Sequence, residues 1–193
     1  MKLKNIKIEN YRCFKRADID FDENITLIVG KNGAGKTAIL DAVAVAVSTF
    51  LLGIDGGVSR GILKDDARYE FYDFDGTIDS QHQFPVSIES TGDCLDKRNI
   101  KWIRSLNSEN SNTTIKDARE LTNLSKDVQG RIMTGDRSLV LPLISYYGTG
   151  RLYAQKKEKK NKISDTPFDL LLWNRTFICT EEGKKKSEIF NGV

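Results

Sequence analysis

The chain has 193 residues, 39% of them hydrophobic and 30% charged, which describes a globular domain with a real core and excludes a disordered segment. Thirty Lys and Arg against 27 Asp and Glu leave a net charge of +3, too small an excess to argue for nucleic acid by itself. Cys13, Cys94 and Cys179 are odd in number and widely spaced, with no CxxC pair, so neither a disulfide framework nor a zinc site follows and a reducing cytoplasm is expected. No secretory leader opens the sequence, and the longest apolar run, Ala42 to Val47, is far short of a membrane span. The only histidine, His82, stands between Gln81 and Gln83 and reads as a surface residue.

In chain order, Lys2 to Glu9 alternates apolar and charged residues and predicts a strand. Tyr11 to Phe14 is an aromatic turn, and Ala17, Ile19 and Phe21 predict a second half-buried strand closed by a turn at residues 22–24. Ile25 to Val29 is nearly all apolar, as expected of a central strand buried on both faces. Thr37 to Leu52 predicts a helix apolar on most of its circumference, with Gly53 as its C-terminal cap. Pro85 to Glu89 and Asn99 to Ser105 predict two strands joined by a turn through Gly92 and Asp93; with Arg68 to Phe74 they suggest a small antiparallel sheet. Thr114 is a candidate cap for a helix reaching about Val128, and Leu139 to Tyr147 predicts another strand. The lysine-rich run Lys156 to Lys162 then reads as a solvated linker. This divides the chain into residues 1–155, a nucleotide-site lobe, and residues 156–193, a basic linker and tail.

Between the apolar run and the helix lies Gly30-Lys31-Asn32-Gly33-Ala34-Gly35-Lys36-Thr37, which fits G-x-x-x-x-G-K-[ST]. Glycines let the backbone wrap a phosphate with its N–H groups pointing inward. The helix that follows aims its N-terminus, starting at Thr37 and Ala38, at the same anion. Lys36 supplies a point charge for the β- and γ-phosphates, as the catalytic cation, and the Thr37 hydroxyl is the expected Mg²⁺ ligand. The expected cofactors are ATP and Mg²⁺.

The loop is preceded by Ile6-Lys7-Ile8-Glu9-Asn10-Tyr11-Arg12-Cys13-Phe14 and by Ala17-Asp18-Ile19-Asp20-Phe21. This order of features resembles the N-terminus of the RecF/SMC/OLD branch of ABC-type ATPases. Tyr146-Tyr147-Gly148-Thr149-Gly150-Arg151-Leu152-Tyr153 resembles a subgroup of bacterial AAA-type ATPases with SMC-like N-termini, some of them similar to components of anti-phage systems such as Septu. The resemblance implies an α/β fold: the N-terminal part of an ABC-ATPase head, a mixed sheet with the P-loop helix plus a small antiparallel β lobe. It implies that Arg12 approaches the nucleotide, although the position also suits a surface arginine in a turn. It offers Gln155 as a ligand that helps hold Mg²⁺ and water, although an exposed glutamine fits the lysine-rich surroundings. It further implies a homodimer with ATP between subunits, coupled to DNA or to a nuclease partner, with no membrane involved.

The sequence departs from that family after the loop. The nearest likeness to a Walker B strand, Phe177-Ile178-Cys179-Thr180-Glu181-Glu182, lacks the Asp; Leu121 to Lys126 does not match the signature motif; no histidine follows His82. Without a Walker B strand, Ile25 to Val29 is expected to be poorly paired and to leave an exposed apolar edge. The expectation is therefore an incomplete ATPase head that binds ATP–Mg²⁺ and hydrolyses it weakly or not at all alone. Two other enzymes use the same loop. A GTPase switch finds D-x-x-G at Asp73-Phe74-Asp75-Gly76, but Asn161-Lys162-Ile163-Ser164 lacks the Asp that would read guanine. A small-molecule kinase would lack its arginine-rich lid. A non-enzymatic fragment that serves only in assembly is the remaining alternative.

Overall fold

The computed structural model describes residues 1–74 and 77–148. In chain order its elements are β1 (Lys2–Tyr11), β2 (Phe14–Asp20), α1 (Lys36–Ser48), β3 (Tyr69–Phe74), β4 (Thr77–His82), β5 (Val86–Cys94), β6 (Lys97–Leu106) and α2 (Arg119–Met133). A 3-10 turn, Thr49–Gly53, prolongs α1. The main sheet has four strands in the order β2-β1-β5-β6, and β3 and β4 form a separate hairpin. Every strand pairing among the described residues is antiparallel.

Alternation selects the buried face. Ile6 and Ile8 of β1 lie opposite Ile19 and Ala17 of β2, and on the other side Ile8 faces Ile88 of β5. These side chains, with Trp102 of β6, meet Ala42, Val45 and Ala46 of α1 in one core. The Trp102 indole donates to the Ala46 carbonyl at 3.0 Å, which satisfies the only polar atom that this side chain buries. Lys36–Gly53 has the length and apolar character of a membrane-crossing helix, yet just over half of it is buried in this core. α2 packs on the 3-10 turn at Gly53, where a Cβ would lie 1.9 Å from Ser125 Oγ and 2.4 Å from the Thr122 carbonyl. Glycine is needed there for close approach, not as the helix cap expected.

Arg104 is buried in β6 and, among the described residues, donates to neutral oxygens: the Thr114 carbonyl at 2.9 Å, Thr49 Oγ1 at 3.1 Å and Ser59 Oγ at 3.4 Å. Burial pushes its guanidinium down to about 10, still protonated at neutral pH. Thr114 thus pairs with the end of β6 and caps no helix: its hydroxyl accepts from Ser105 N and its N–H donates to the Ser105 carbonyl. α2 starts later, at Arg119, and continues to Met133, beyond the expected Val128; it closes on Gly135, left-handed at φ 85.

Other expectations also change. Ile25 to Val29 is in no strand, and Ile25, Leu27 and Val29 are 82%, 82% and 80% exposed. An apolar run becomes a central strand only when neighbours take its N–H and C=O groups, and among the described residues none flanks this run. Leu139 to Tyr147 likewise forms no strand; Val140, Leu141 and Leu143 are exposed. The turn between β5 and β6 falls at Leu95 and Asp96, past Gly92 and Asp93. Gly92 instead sits against β1, where a Cβ would meet the Lys2 carbonyl at 2.4 Å. Asp93 holds the turn, accepting from Lys4 Nζ at 2.8 Å, Arg98 Nη1 at 3.0 Å and Asn99 N at 2.9 Å. β4 has the polar sequence TIDSQH and gave no strand signal. His82 at its end is half-buried rather than a surface residue, its ring 4.0 Å from that of Tyr69.

Candidate functional site

Gly30 to Thr37 wraps from the exposed apolar run into α1. Gly33 and Gly35 are left-handed, at φ 84 and 87, a conformation that costs glycine least. Gly35 is the residue on which α1 begins, and no side chain caps it. The first turn of α1 holds no acidic residue, so its N–H groups and the positive end of its dipole face outward without a competing anion. Lys36 folds back over the loop and donates to the Gly30 and Lys31 carbonyls, each at 2.7 Å. Those two bonds hold the ammonium across the mouth of the turn. Lys31, Asn32, Gly33, Ala34 and Thr37 are exposed, while Ala38 is buried at 5% and anchors the helix in the core.

The β1–β2 turn backs this loop. A Cβ at Gly35 would come within 2.5 Å of the Phe14 ring and 2.7 Å of Cys13 Sγ. The turn itself is left-handed at Asn10 and Arg12, φ 51 and 50, and is held by Arg12 N donating to the Asp66 carbonyl at 2.7 Å and Arg68 N to the Asn10 carbonyl at 2.9 Å. Among the described residues the cysteines are Cys13, exposed, and Cys94, buried.

Arg12 is placed beside the loop by this turn, and its guanidinium is engaged by two carboxylates. Nε donates to Asp66 Oδ1 at 2.8 Å and Nη1 contacts Asp41 Oδ2. Asp41 lies on α1, 4% exposed, and also receives Arg60 Nη1 at 3.0 Å and the Tyr146 hydroxyl. Asp66 in turn accepts from Leu63 N at 3.0 Å. Arg60 lies over the Tyr146 ring, 5.4 Å from its centroid. Two arginines and two aspartates thus balance in one hub under the loop. Burial, then Asp66, pushes the Tyr11 hydroxyl up; burial, then the bond to Asp41, does the same to Tyr146.

Sequence reasoning singled out the loop and Arg12, and missed Asp41 and Asp66, which hold the Arg12 guanidinium, and Arg60 and Tyr146, which join it on Asp41. One signal was available: Asp41 is an acidic residue inside a helix that is otherwise apolar. Gln155, Asn161 to Ser164 and Phe177 to Glu182 lie outside the described residues, as do Asp75 and Gly76.

The loop fits a nucleotide phosphate by its own chemistry: left-handed glycines, an uncapped helix start, a lysine across the mouth and an exposed threonine hydroxyl suited to Mg²⁺. A family described as AAA domain matches residues 5–191. The DNA double-strand break repair Rad50 ATPase of Methanosarcina mazei is 50% identical over 42 residues, 22% of this chain and 4% of that protein. The DNA replication and repair protein RecF of Lactobacillus acidophilus is 42% identical over 43 residues, 22% of this chain and 12% of that protein. RecF of Actinobacillus pleuropneumoniae is 35% identical over 104 residues, 51% of this chain and 27% of that protein. The chain therefore spans from 4% to 27% of the lengths of these relatives. A solved chain from work on ATP-driven dimerization and DNA-stimulated activation of SMC ATPases aligns with a TM-score of 0.38 and 18% identity, over 74% of this chain and 87% of that one.

Proposed function

The chain belongs to the AAA-domain family and has a P-loop NTPase fold, and on that premise we propose that it is the ATP–Mg²⁺-binding part of an SMC/Rad50/RecF-like ATPase acting on DNA. The observation that carries this reading is the loop itself: Gly33 and Gly35 left-handed at the uncapped start of α1, with Lys36 across the mouth. Lys36 holds the β- and γ-phosphates, Thr37 holds Mg²⁺, and the metal, when bound, neutralises phosphate charge. The reading assigns the DNA role from the Rad50 and RecF relatives, whose names specify DNA repair. It places the protein in the cytoplasm, joins it to a second copy with ATP between subunits or to the other half of an ATPase head, and couples it to DNA or a nuclease, in DNA metabolism or anti-phage defence. Hydrolysis by this chain alone is weak, because its sequence offers no match for the Walker B pair that activates water.

Calorimetric titration with Mg²⁺ and a non-hydrolysable ATP analogue tests the reading. Binding is expected in the wild type and is expected to weaken by more than about tenfold in Lys36→Ala, which removes the charge-assisted contacts to phosphate. A parallel titration with the GTP analogue is expected to show no preference for guanine. Failure of the wild type to bind, or equal binding by Lys36→Ala, sinks the proposal.

A further inference from the structure

We propose that Phe14 is a positioning residue for nucleotide binding: its ring, at the β1–β2 turn, backs the last glycine of the phosphate loop and keeps the loop in its phosphate-binding shape. The inference rests on the ATP reading above and deepens it, because it names a residue outside the G-x-x-x-x-G-K-[ST] stretch on which that site depends.

The loop has little else to hold it. Among the described residues its hydrogen bonds run within the loop or into α1: Ala34 N donates to the Lys31 carbonyl at 3.2 Å, Lys36 Nζ to the Gly30 and Lys31 carbonyls, and Ile39 N to the Gly35 carbonyl at 3.0 Å. Ile25, Leu27 and Val29, which lead into it, are exposed. A Cβ at Gly33 would meet nothing within 4 Å, and one at Gly30 would meet only Ala34 of the loop itself. Gly35 alone of these three glycines touches another segment: a Cβ there would fall 2.5 Å from Phe14 Cζ, 2.9 Å from Phe14 Cε2 and 2.7 Å from Cys13 Sγ.

Phe14 is a fixed stop. It is half-buried, pairs across the turn with the fully buried Tyr11, and packs against the core. The turn is tied down at Arg12, whose N–H donates to the Asp66 carbonyl at 2.7 Å and whose guanidinium spans Asp66 and Asp41. It is tied down again at Tyr11, which bridges to Ala67. Asp41 lies on α1, so the turn is fastened to the same helix that the loop opens.

Gly35 sits at φ 87 and ψ 9, immediately before the first residue of α1, with no side-chain cap. Its two dihedrals set where the N–H groups of the loop point relative to those of the first helical turn. Glycine has many other conformations open to it, and each one redirects those donors. A ring against its Cα removes the space into which the backbone would swing. The loop is then ordered before the anion arrives, and the cost of ordering it is not charged against binding. The contact is to the loop backbone, so the effect extends to every ligand that places a phosphate there, diphosphate and triphosphate alike.

The full chain, Phe14→Ala, Phe14→Leu and Phe21→Ala are titrated with Mg²⁺ and a non-hydrolysable ATP analogue, and with Mg²⁺ and ADP. Amide exchange at residues 33–38 without nucleotide and the thermal midpoint are followed in parallel. Phe21 is the matched control: it is also half-buried against the core, but stands at the far end of the hairpin, where its N–H donates to the Lys4 carbonyl at 2.8 Å. Both alanine variants are expected to lower the midpoint. Phe14→Ala is expected to weaken the analogue and ADP about tenfold each and to speed exchange at 33–38. Phe14→Leu, which keeps apolar bulk but withdraws the ring edge, is expected to weaken both about threefold. Phe21→Ala is expected to change either affinity less than about twofold, as a site distant from the loop. Equal losses from Phe14→Ala and Phe21→Ala, a loss for one nucleotide alone, or no loss from Phe14→Ala overturns the inference and leaves Phe14 a packing residue. If Phe14→Ala does not fold, Phe14→Leu decides on the same terms: a loss beyond that of Phe21→Ala upholds the inference, and none overturns it. Absence of binding by the wild type overturns the ATP reading and this inference with it, whereas a wild type that binds no better than the Phe14 variants overturns this inference alone.

Discussion

Ile88 in β5 and Leu27 ahead of the phosphate loop are both aliphatic, and they meet opposite fates. Ile88 has strands on both sides and α1 above, and is fully buried; Leu27 has no partner strand among the described residues and is 82% exposed. Burying such a side chain contributes about 1.5–3 kcal/mol, so the difference between the two regions is large. An apolar sequence states only a need to be covered; pairing and a second layer decide whether that need is met. The antiparallel sheet and α1 cover each other's apolar faces. The run that leads into the phosphate loop is covered by nothing comparable among the described residues.

Deletion of side chains measures that contrast most directly. Trp102→Ala is expected to lose about 3–5 kcal/mol in urea unfolding, whereas Leu27→Ala is expected to change stability by less than about 0.5 kcal/mol. Similar losses at both positions would mean that Leu27 is covered in solution. Gly53→Ala follows in size, at about 1–3 kcal/mol, because its methyl group must displace α2; an unchanged midpoint would show that α2 sits further from the 3-10 turn.

Leu27→Lys probes the exposed region without touching the core. It is expected to leave the midpoint within about 0.5 kcal/mol and to reduce self-association in light scattering. Persistence of association would place the sticky surface elsewhere, with Val140 and Leu143 next to be changed. The smallest effect belongs to the core side, at the β5–β6 turn. Lys4, then the Asn99 N–H, with Arg98 assisting, holds the Asp93 carboxyl well below the usual carboxylate range. Its folded value is below its unfolded one, so its stabilising contribution is complete above about pH 4 and is lost as pH falls below that. Asp93→Asn is therefore expected to flatten the acid limb of the stability profile between about pH 4 and pH 2. An identical slope in both proteins would remove Asp93 from the account.

The parts read correctly from sequence share a property: their signals are local. The phosphate loop is contiguous, β1 and β2 alternate cleanly, and α1 is apolar over three turns. The hub under the loop was not legible, since Tyr146 lies 105 residues from Asp41 and Arg12 lies 54 from Asp66. No spacing rule reaches across such intervals. The strands expected at Ile25 to Val29 and Leu139 to Tyr147 failed for a related reason, because composition records a residue's preference but not its neighbours. β4 escaped for the converse reason: a polar strand is held by its hairpin partner and buries little of its own.

Gly33 and Gly35 share a backbone conformation yet differ in what surrounds them. A side chain at Gly33 would meet nothing within 4 Å, while one at Gly35 would strike Phe14 and Cys13. In a saturation library scored for folding alone, the first position has one barrier and asparagine, at home in that conformation, can cross it. The second has two, and trimming Phe14 lowers only one of them. Drift at Gly35 therefore needs at least two changes at once, and the phosphate loop's last glycine is locked by the hairpin behind it.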